Sequence, residues 1–442
     1  MGNYRRQRSG GIVRAVSGPS VPTASHLAQP GDRGHLATDD DPRRWRMLAL
    51  LAAAELLGMA LWFAGNAVAP ALVERWGLSG NEVAGLTTAV QLGFVAGTAV
   101  IAFGNLADIV AARTLFAVCA VLGAVSNAAL VTAGSYGVAL ATRAAAGACL
   151  AGVYPPAMKM ASTWFRARRG LAVGTVVGAL TVGKAAPYLL KAFPSFGLDQ
   201  VVLSASGAAL VAAGLVWFGY RDGPYPFAPR PFSWRLVHDV LRERRYRLAL
   251  GGYLGHMAEL YSYWTWIPAF LAASAVARSG SAPSWIGVLA FATVAIGGAG
   301  CVWGGLVADR IGRARLTIIS MAASGACAVL VALAFGASWS LVAPLALAWG
   351  FFVIADSAQF SVLVTESVPA HAVGTALALQ TSLGFLLTTL TIQLVPPVVE
   401  RGGWRVAFAM LAIGPVLGIV SIRRLAESNA LKTPNSKHRT QD

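Results

Sequence analysis

Charge is scarce in this chain, and acidic charge is scarcer. Of 442 residues only 12% are Asp, Glu, Lys or Arg, and Asp and Glu together number 19. Soluble globular domains carry about 25% charged residues, so a water-facing surface around one core is excluded. The histidines and the four cysteines (Cys119, Cys149, Cys301, Cys327) stand apart, without the spacing that metal ligands need. No metal and no cofactor is therefore expected, and the cysteines read as free thiols used as small apolar residues. Also missing are GxxxxGK[ST], GxSxG and HExxH. Their absence removes an ATP-driven pump, a nucleophile-elbow hydrolase and a zinc peptidase.

Apolar sequence takes up the room. Hydrophobic residues make up 56% of the chain and its mean hydropathy is +0.61. A bilayer core about 30 Å thick needs about 20 apolar residues per helix. Runs of that kind recur at 47–72, 83–103, 115–134, 137–162, 170–190, 199–219, 247–273, 285–308, 316–336, 340–365, 372–396 and 403–422. They are continuous rather than alternating, which predicts helices and not the strands of a barrel. The expected fold is an all-α membrane protein of twelve transmembrane helices, embedded in a lipid bilayer.

The net charge of +16 is spread in a way that excludes a nucleic-acid footprint. Arg43, Arg44 and Arg46 precede the first span, and Arg166, Arg168 and Arg169 follow the fourth. Arg235, Arg242, Arg244, Arg245 and Arg247 precede the seventh, and Arg423 and Arg424 end the last. With both termini cytoplasmic this obeys the positive-inside rule, and a multi-pass protein of the cytoplasmic membrane is expected. The organisation predicted is a polar tail at 1–44 without a signal-peptide core, a six-helix bundle at 45–220 and a central cytoplasmic loop at 221–246. A second six-helix bundle at 247–425 and a tail at 426–442 complete it, in a chain expected to act as a monomer.

The two halves echo each other. GNLADIVAAR (104–113) follows the second span and GLVADRIGRA (305–314) follows the eighth, aligning Gly104 with Gly305 and Asp108 with Asp309. A weaker echo pairs LAVGT (171–175) with HAVGT (371–375). Parallel repeats of this size are a transporter architecture, with the substrate site between the halves near the bilayer midplane. The second copy, with Asp309, Arg310, Gly312 and Arg313, resembles the loop between the second and third helices of the major facilitator superfamily. The first departs from it, with Ile109, Ala111 and Ala112 where Arg, Gly and Arg are usual, although Arg113 is kept. The resemblance implies that Asp108 and Asp309 bias the alternating-access cycle, and that the first helix of each three-helix unit lines a central cavity. Independently of the name, the glycines would let helices approach closely, and each aspartate at a membrane boundary could pair with a neighbouring arginine.

An ionisable group in hydrocarbon costs about 2.5–3.5 kcal/mol on insertion scales, so the few inside the spans are candidates for function. They are Glu55, Arg143, Lys159, Lys184, His256, Glu259 and Asp356. In GHMAELYSYWTW (255–266), His256, Glu259, Tyr263 and Trp266 recur at helical spacing and form one stripe. Glu259 lies about 18 Å into its helix, near the midplane. The stripe, with Trp264 beside it, is read as a surface for substrate and proton, Glu259 carrying the proton and His256 its partner. Asp356, next to Gln359, is the second proton carrier. Glu55, about 12 Å into the first span, is the third acidic candidate, with Lys159 as its possible partner. Arg143 has the forked donors that suit a carboxylate, and is read as the anion contact. Lys184 reads equally well as a lysine snorkelling to the outer interface.

The reading that follows is a secondary transporter for a small anionic organic solute, proton-coupled, and not an enzyme. Drug:proton antiporters resemble the fifth span only in part. GTVVGALTVGK (174–184) keeps Gly174, Gly178 and Gly183 but has Ala179 and Val182 in place of the proline and the first paired glycine. An efflux pump is the alternative, and a polytopic membrane enzyme working through His256 and Glu259 is the reading from a different class.

Overall fold

The computed structural model describes residues 41–165, 168–193, 195–225 and 234–430. The predicted tail segments 1–40 and 431–442, and 226–233 of the central loop, lie outside the described residues. Where each helix starts and breaks follows from local sequence. The first span runs through Arg43–Met59, Ala64–Ala67 and Ala69–Trp76, with a non-helical stretch at 60–63. The second, Gly80–Phe103, opens on a capping box: the Ser79 hydroxyl accepts from the Glu82 amide, and the Glu82 carboxylate accepts from the Ser79 amide at 2.8 Å. Ala112–Ala128 is the third. The fourth is Tyr136–Leu150 continued by Tyr154–Ser162, interrupted just before Pro155 and Pro156, which have no amide hydrogen to give to the turn above. Arg169–Lys191 and Leu198–Gly214, the latter prolonged by a π-turn at Leu215–Gly219, complete the first half.

The seventh span is Arg244–Ser279, and the eighth is Trp285–Ala295 with Gly297–Ile311. Arg313–Leu333 is the ninth, and the tenth is Trp339–Ala355 with Ser357–Thr365, broken at Asp356. Val373–Met410 contains two helices that meet at Gly403, whose φ of 73° only glycine adopts readily, and the last continues as Ile413–Ala430. Among the described residues, eight helices are long and apolar enough to cross a membrane, and the one that runs from Val373 to Ser428 holds two crossings. The others are the broken first span, the shorter third and the seventh with its polar stripe. Among the described residues the architecture is thus all-α, as expected, and agrees with twelve crossings.

Three boundaries differ from expectation. The central loop holds a helix of its own, Trp234–Arg242, because Leu236 and Val240 fall one turn apart and give it an apolar side. The seventh span begins at Arg244 instead of 247, since Glu243 caps it by accepting from the Arg245 amide. The twelfth runs to Ala430, past the predicted end at 425.

Glycine seams hold each half together. Gly97 leaves no room for a β-carbon against the Ala148 carbonyl, nor does Gly147 against that of Val90, so the second and fourth spans touch backbone to backbone. Gly300 with Phe351 and Gly350 with Thr293 repeat both contacts between the eighth and tenth spans. The internal repeat seen in the sequence is therefore repeated in packing.

Candidate functional site

A cavity of about 380 Å³ opens between the halves on the side where the second and third spans are joined. Thr98, Asp108, Pro156 and Lys159 line it from the first half, and His371, Thr375 and Ala378 from the second, with Leu236 at its mouth. A deeper chamber of about 80 Å³ shares Thr381 with it and is walled by Trp62, Tyr154, Lys184, Tyr261, Trp264, Gln380 and Phe385. Beyond that chamber the path is closed. Trp62, Phe94 and Phe385 pack ring against ring at 4.6–5.5 Å between centroids, and Phe63 lies edge-on to Trp264 at 6.3 Å. Thr388 hydrogen-bonds Gln91, and Gln393 reaches the Thr88 hydroxyl at 3.3 Å, tying the eleventh span to the second.

Lys184 is the cation of the chamber. It is buried, donates to the Tyr261 hydroxyl at 2.5 Å, and holds its ammonium 3.8 Å from the Trp62 ring centroid, 4.7 Å from Tyr261 and 5.1 Å from Trp264. No ion pair reaches it among the described residues. Behind it is Glu55, fully buried, with neither carboxylate oxygen hydrogen-bonded. The two are brought near each other because Gly183 lets the fifth span press against the Leu56 carbonyl, next to Glu55 in the chain. Lysine at this point does not snorkel: it lies two turns before the end of its helix and turns inward, because aromatic faces and a carboxylate replace water around it. The adjoining glycine in the sequence is the one signal that could have marked it.

Arg143 is not where the sequence reading put it. It is fully buried and its terminal nitrogens donate to Asn127 Oδ1 at 2.7 Å, the Leu61 carbonyl at 2.9 Å and the Trp62 carbonyl at 2.5 Å, while its Nε has no partner among the described residues. Those carbonyls belong to the non-helical stretch of the first span, which has no amide partners for them. The guanidinium clamps the break, and does not line the cavity.

The model of the Major Facilitator Superfamily matches residues 50–392. The chain belongs to that superfamily. It is 30% identical over 183 residues to a hexuronate transporter of Escherichia coli strain K12, and 28% identical over 183 residues to a galacturonate transporter of Dickeya chrysanthemi. Each match takes in 41% of this chain, with 42% of the first relative and 52% of the second, so the chain spans about half the length of these relatives or less. The human organic anion transporter MFSD10 (TETRAN) shares the fold, with a TM-score of 0.66, 14% identity, and 86% of this chain and all of that one covered.

Within this superfamily fold, the polar stripe of the seventh span needs correcting. Tyr253, Met257, Leu260, Tyr261 and Trp264 face the chamber; His256, Glu259, Tyr263 and Trp266 point the other way, into the second half. Glu259 accepts from Ser324 and from the Trp349 indole, both at 2.8 Å, so its partner is not His256. His256 Nδ1 is instead 3.0 Å from Asp356, both buried, at the point where the tenth span breaks. Tyr263 donates to the Ala346 carbonyl at 3.1 Å, Trp266 donates to that of Ile392 at 3.1 Å, and Gln359 is buried beyond the Asp356 break. Of the stretch 255–266, Trp264 alone among the predicted site residues reaches the chamber, as helical spacing cannot say which side of a span faces its own bundle. The seventh helix is buried nearly all round.

The superfamily loops also pair differently from expectation. Asp108 lies 3.8 Å from Lys159, which also donates to the Ala107 carbonyl at 2.6 Å, so Lys159 serves the cavity mouth and not Glu55. Arg113 stands over the Trp217 ring at 5.5 Å. Gly104 brings no neighbouring helix close, and the turn after it is made by Asn105 at φ 49°. In the second copy Arg313 links Asp309 at 3.9 Å to Glu366 at 3.4 Å, while Arg310 is exposed. Gly305 meets the Gly170 carbonyl at ordinary contact, and Gly312, at φ 88°, ends the eighth span where a side chain would be strained.

Proposed function

We propose that this protein is a secondary transporter that moves a small anionic organic solute across the cytoplasmic membrane by alternating access, coupled to protons. Lys184 carries the reading: a buried ammonium without an ion pair, at the inner end of a cavity between two symmetric halves, is a receptor for a carboxylate. The 80 Å³ chamber seats the charged end of such a solute and the 380 Å³ cavity admits the rest. The rings of Trp62, Tyr261 and Trp264 offer flat apolar faces to a sugar ring, while Gln380 and Tyr154 supply hydrogen bonds. The hexuronate and galacturonate transporters among its relatives make sugar acids the first class to test.

With the termini in the cytoplasm, the cavity opens inward and the aromatic plug closes the outward side. Glu55 is the proton carrier this geometry favours. A substrate carboxylate on Lys184 brings a second negative charge into the region of Glu55, and a proton on Glu55 then neutralises the site before it crosses a low-dielectric region. Glu259, already satisfied by two donors, and the His256–Asp356 pair have a place in the proposal as ties within the second half. Asp108, Asp309 and Arg313 bias the inward against the outward arrangement, and the carrier works as a monomer.

Reconstituted into liposomes with a pH-sensitive dye inside, the protein is expected to take up galacturonate or glucuronate with protons, and to ignore the neutral parent sugars. Equal uptake of galactose and galacturonate, or no acid flux under any gradient, overturns the proposal. Acid uptake that moves no protons removes the coupling and leaves the substrate class.

A further inference from the structure

The surroundings of the Lys184 ammonium are those of a binding site for an organic cation. Three π faces stand 3.8, 4.7 and 5.1 Å from it, all within the roughly 6 Å over which a ring quadrupole holds a positive charge. The Tyr261 oxygen accepts from it, and neither oxygen of the buried Glu55 carboxylate behind it has a hydrogen-bond donor among the described residues. Aromatic boxes with a carboxylate behind are how proteins recognise quaternary ammonium groups. Here the box is filled by a cation that is part of the chain.

The tether inverts what the site can bind. With the ammonium in place, a free cation meets a like charge and filled space, whereas a carboxylate meets an unpaired positive charge. Without it, Trp62, Tyr261 and Trp264 surround an opening, and Glu55 leaves a negative charge at its back. Arg143 does not replace the lost charge, because its two terminal nitrogens are held by Asn127 and by the carbonyls of residues 61 and 62, outside the chamber. We infer that Lys184 sets the sign of the charge this cavity accepts, by filling with its own ammonium an aromatic box that takes an organic cation once the lysine is removed. The inference rests on the reading of the chamber as the substrate site.

The test compares full-length wild type, Lys184→Ala and Lys184→Met, purified in nanodiscs, with tetramethylammonium binding read by calorimetry. Galacturonate uptake is measured in liposomes in parallel. Lys184→Ala is expected to bind tetramethylammonium at least tenfold more tightly than wild type, ~1.4 kcal/mol, and to lose galacturonate uptake. Lys184→Met, whose thioether fills the box without charge, is expected to lose uptake and gain no cation binding. Should the alanine variant fail to fold, Lys184→Ser, which is nearly as small and also leaves the box open, takes its place with the same expectation. Tetramethylammonium bound no better by the small variants than by wild type, or equally well by the methionine variant, overturns the inference. Wild type that takes up no sugar acid sinks the substrate reading instead, and the cation comparison distinguishes the two failures.

Discussion

Replacing Arg143 separates two accounts of a buried cation, because one predicts a loss of substrate binding and the other a loss of stability. In Arg143→Met the Leu61 and Trp62 carbonyls lose their donor inside a fully buried site, and Asn127 keeps only its bonds to Val202 and Ser206. Each orphaned carbonyl costs about 1–3 kcal/mol. Some of that is offset because a guanidinium without a carboxylate partner no longer has to be held away from water. A net destabilisation of about 2–4 kcal/mol remains, by the same per-group cost. For a chain of this length it is read as a fall of roughly 2–4 °C in apparent melting temperature. Arg143→Lys can reach one carbonyl but not both, and should recover about half of the loss, as a single ammonium lacks the planar fork. Melting followed by tryptophan fluorescence in detergent, beside calorimetric binding of galacturonate below the transition, gives both numbers from one preparation. The expected pattern is lower melting with affinity unchanged within about twofold. Unchanged melting with binding abolished would refute the reasoning and return Arg143 to the substrate.

Further predictions concern the seams and gates. Gly147→Val places a branched side chain against the Val90 carbonyl, and should destabilise the first half by at least the ~1–3 kcal/mol of an overpacked core, visible as lost monodispersity on gel filtration. Gln91→Ala with Thr388→Val removes the tie between the second and eleventh spans; a cysteine placed at Thr88 should then react faster with an impermeant thiol reagent from outside, and an unchanged rate rejects the closure described. Asp108→Asn breaks a half-exposed pair with Lys159, so melting should move by no more than the ~1 kcal/mol of a surface ion pair while the uptake rate changes. Glu259→Gln can keep its amide oxygen on the Trp349 indole and donate from its nitrogen to the Ser324 hydroxyl, which turns its own proton to the Met321 carbonyl, so sugar-acid uptake should persist, and its abolition would restore Glu259 as a proton carrier.

The fold was readable because a bilayer imposes lengths and a charge asymmetry that a single sequence displays, and because the repeat around Asp108 and Asp309 carries its own register. The site was less so. A stripe at spacings of three and four identifies one side of a helix but not what that side meets, and in the seventh span the charged side meets the ninth and tenth helices. The neighbouring Tyr261 and Trp264 face the cavity. The surroundings of Arg143 were hidden for a related reason. Composition makes an arginine in hydrocarbon look like an anion receptor, yet the break at residues 60–63, whose carbonyls consume it, leaves no clear mark in the run ALWF. Trp62 shows the same limit, because its place between Lys184 and Phe385 depends on that break.

The aromatic box is divided between the two halves. Trp62 and Lys184 travel with the first, and Tyr261 and Trp264 with the second, so the bond from Lys184 to Tyr261 is a tie that the carrier makes with itself when nothing is bound. In the proposed cycle a carboxylate on the ammonium would take over that tie before the halves part. An empty carrier must break it unaided on the return stroke. Turnover with solute on both sides should then outpace turnover with solute on one, so the protein would exchange its cargo more readily than it accumulates it.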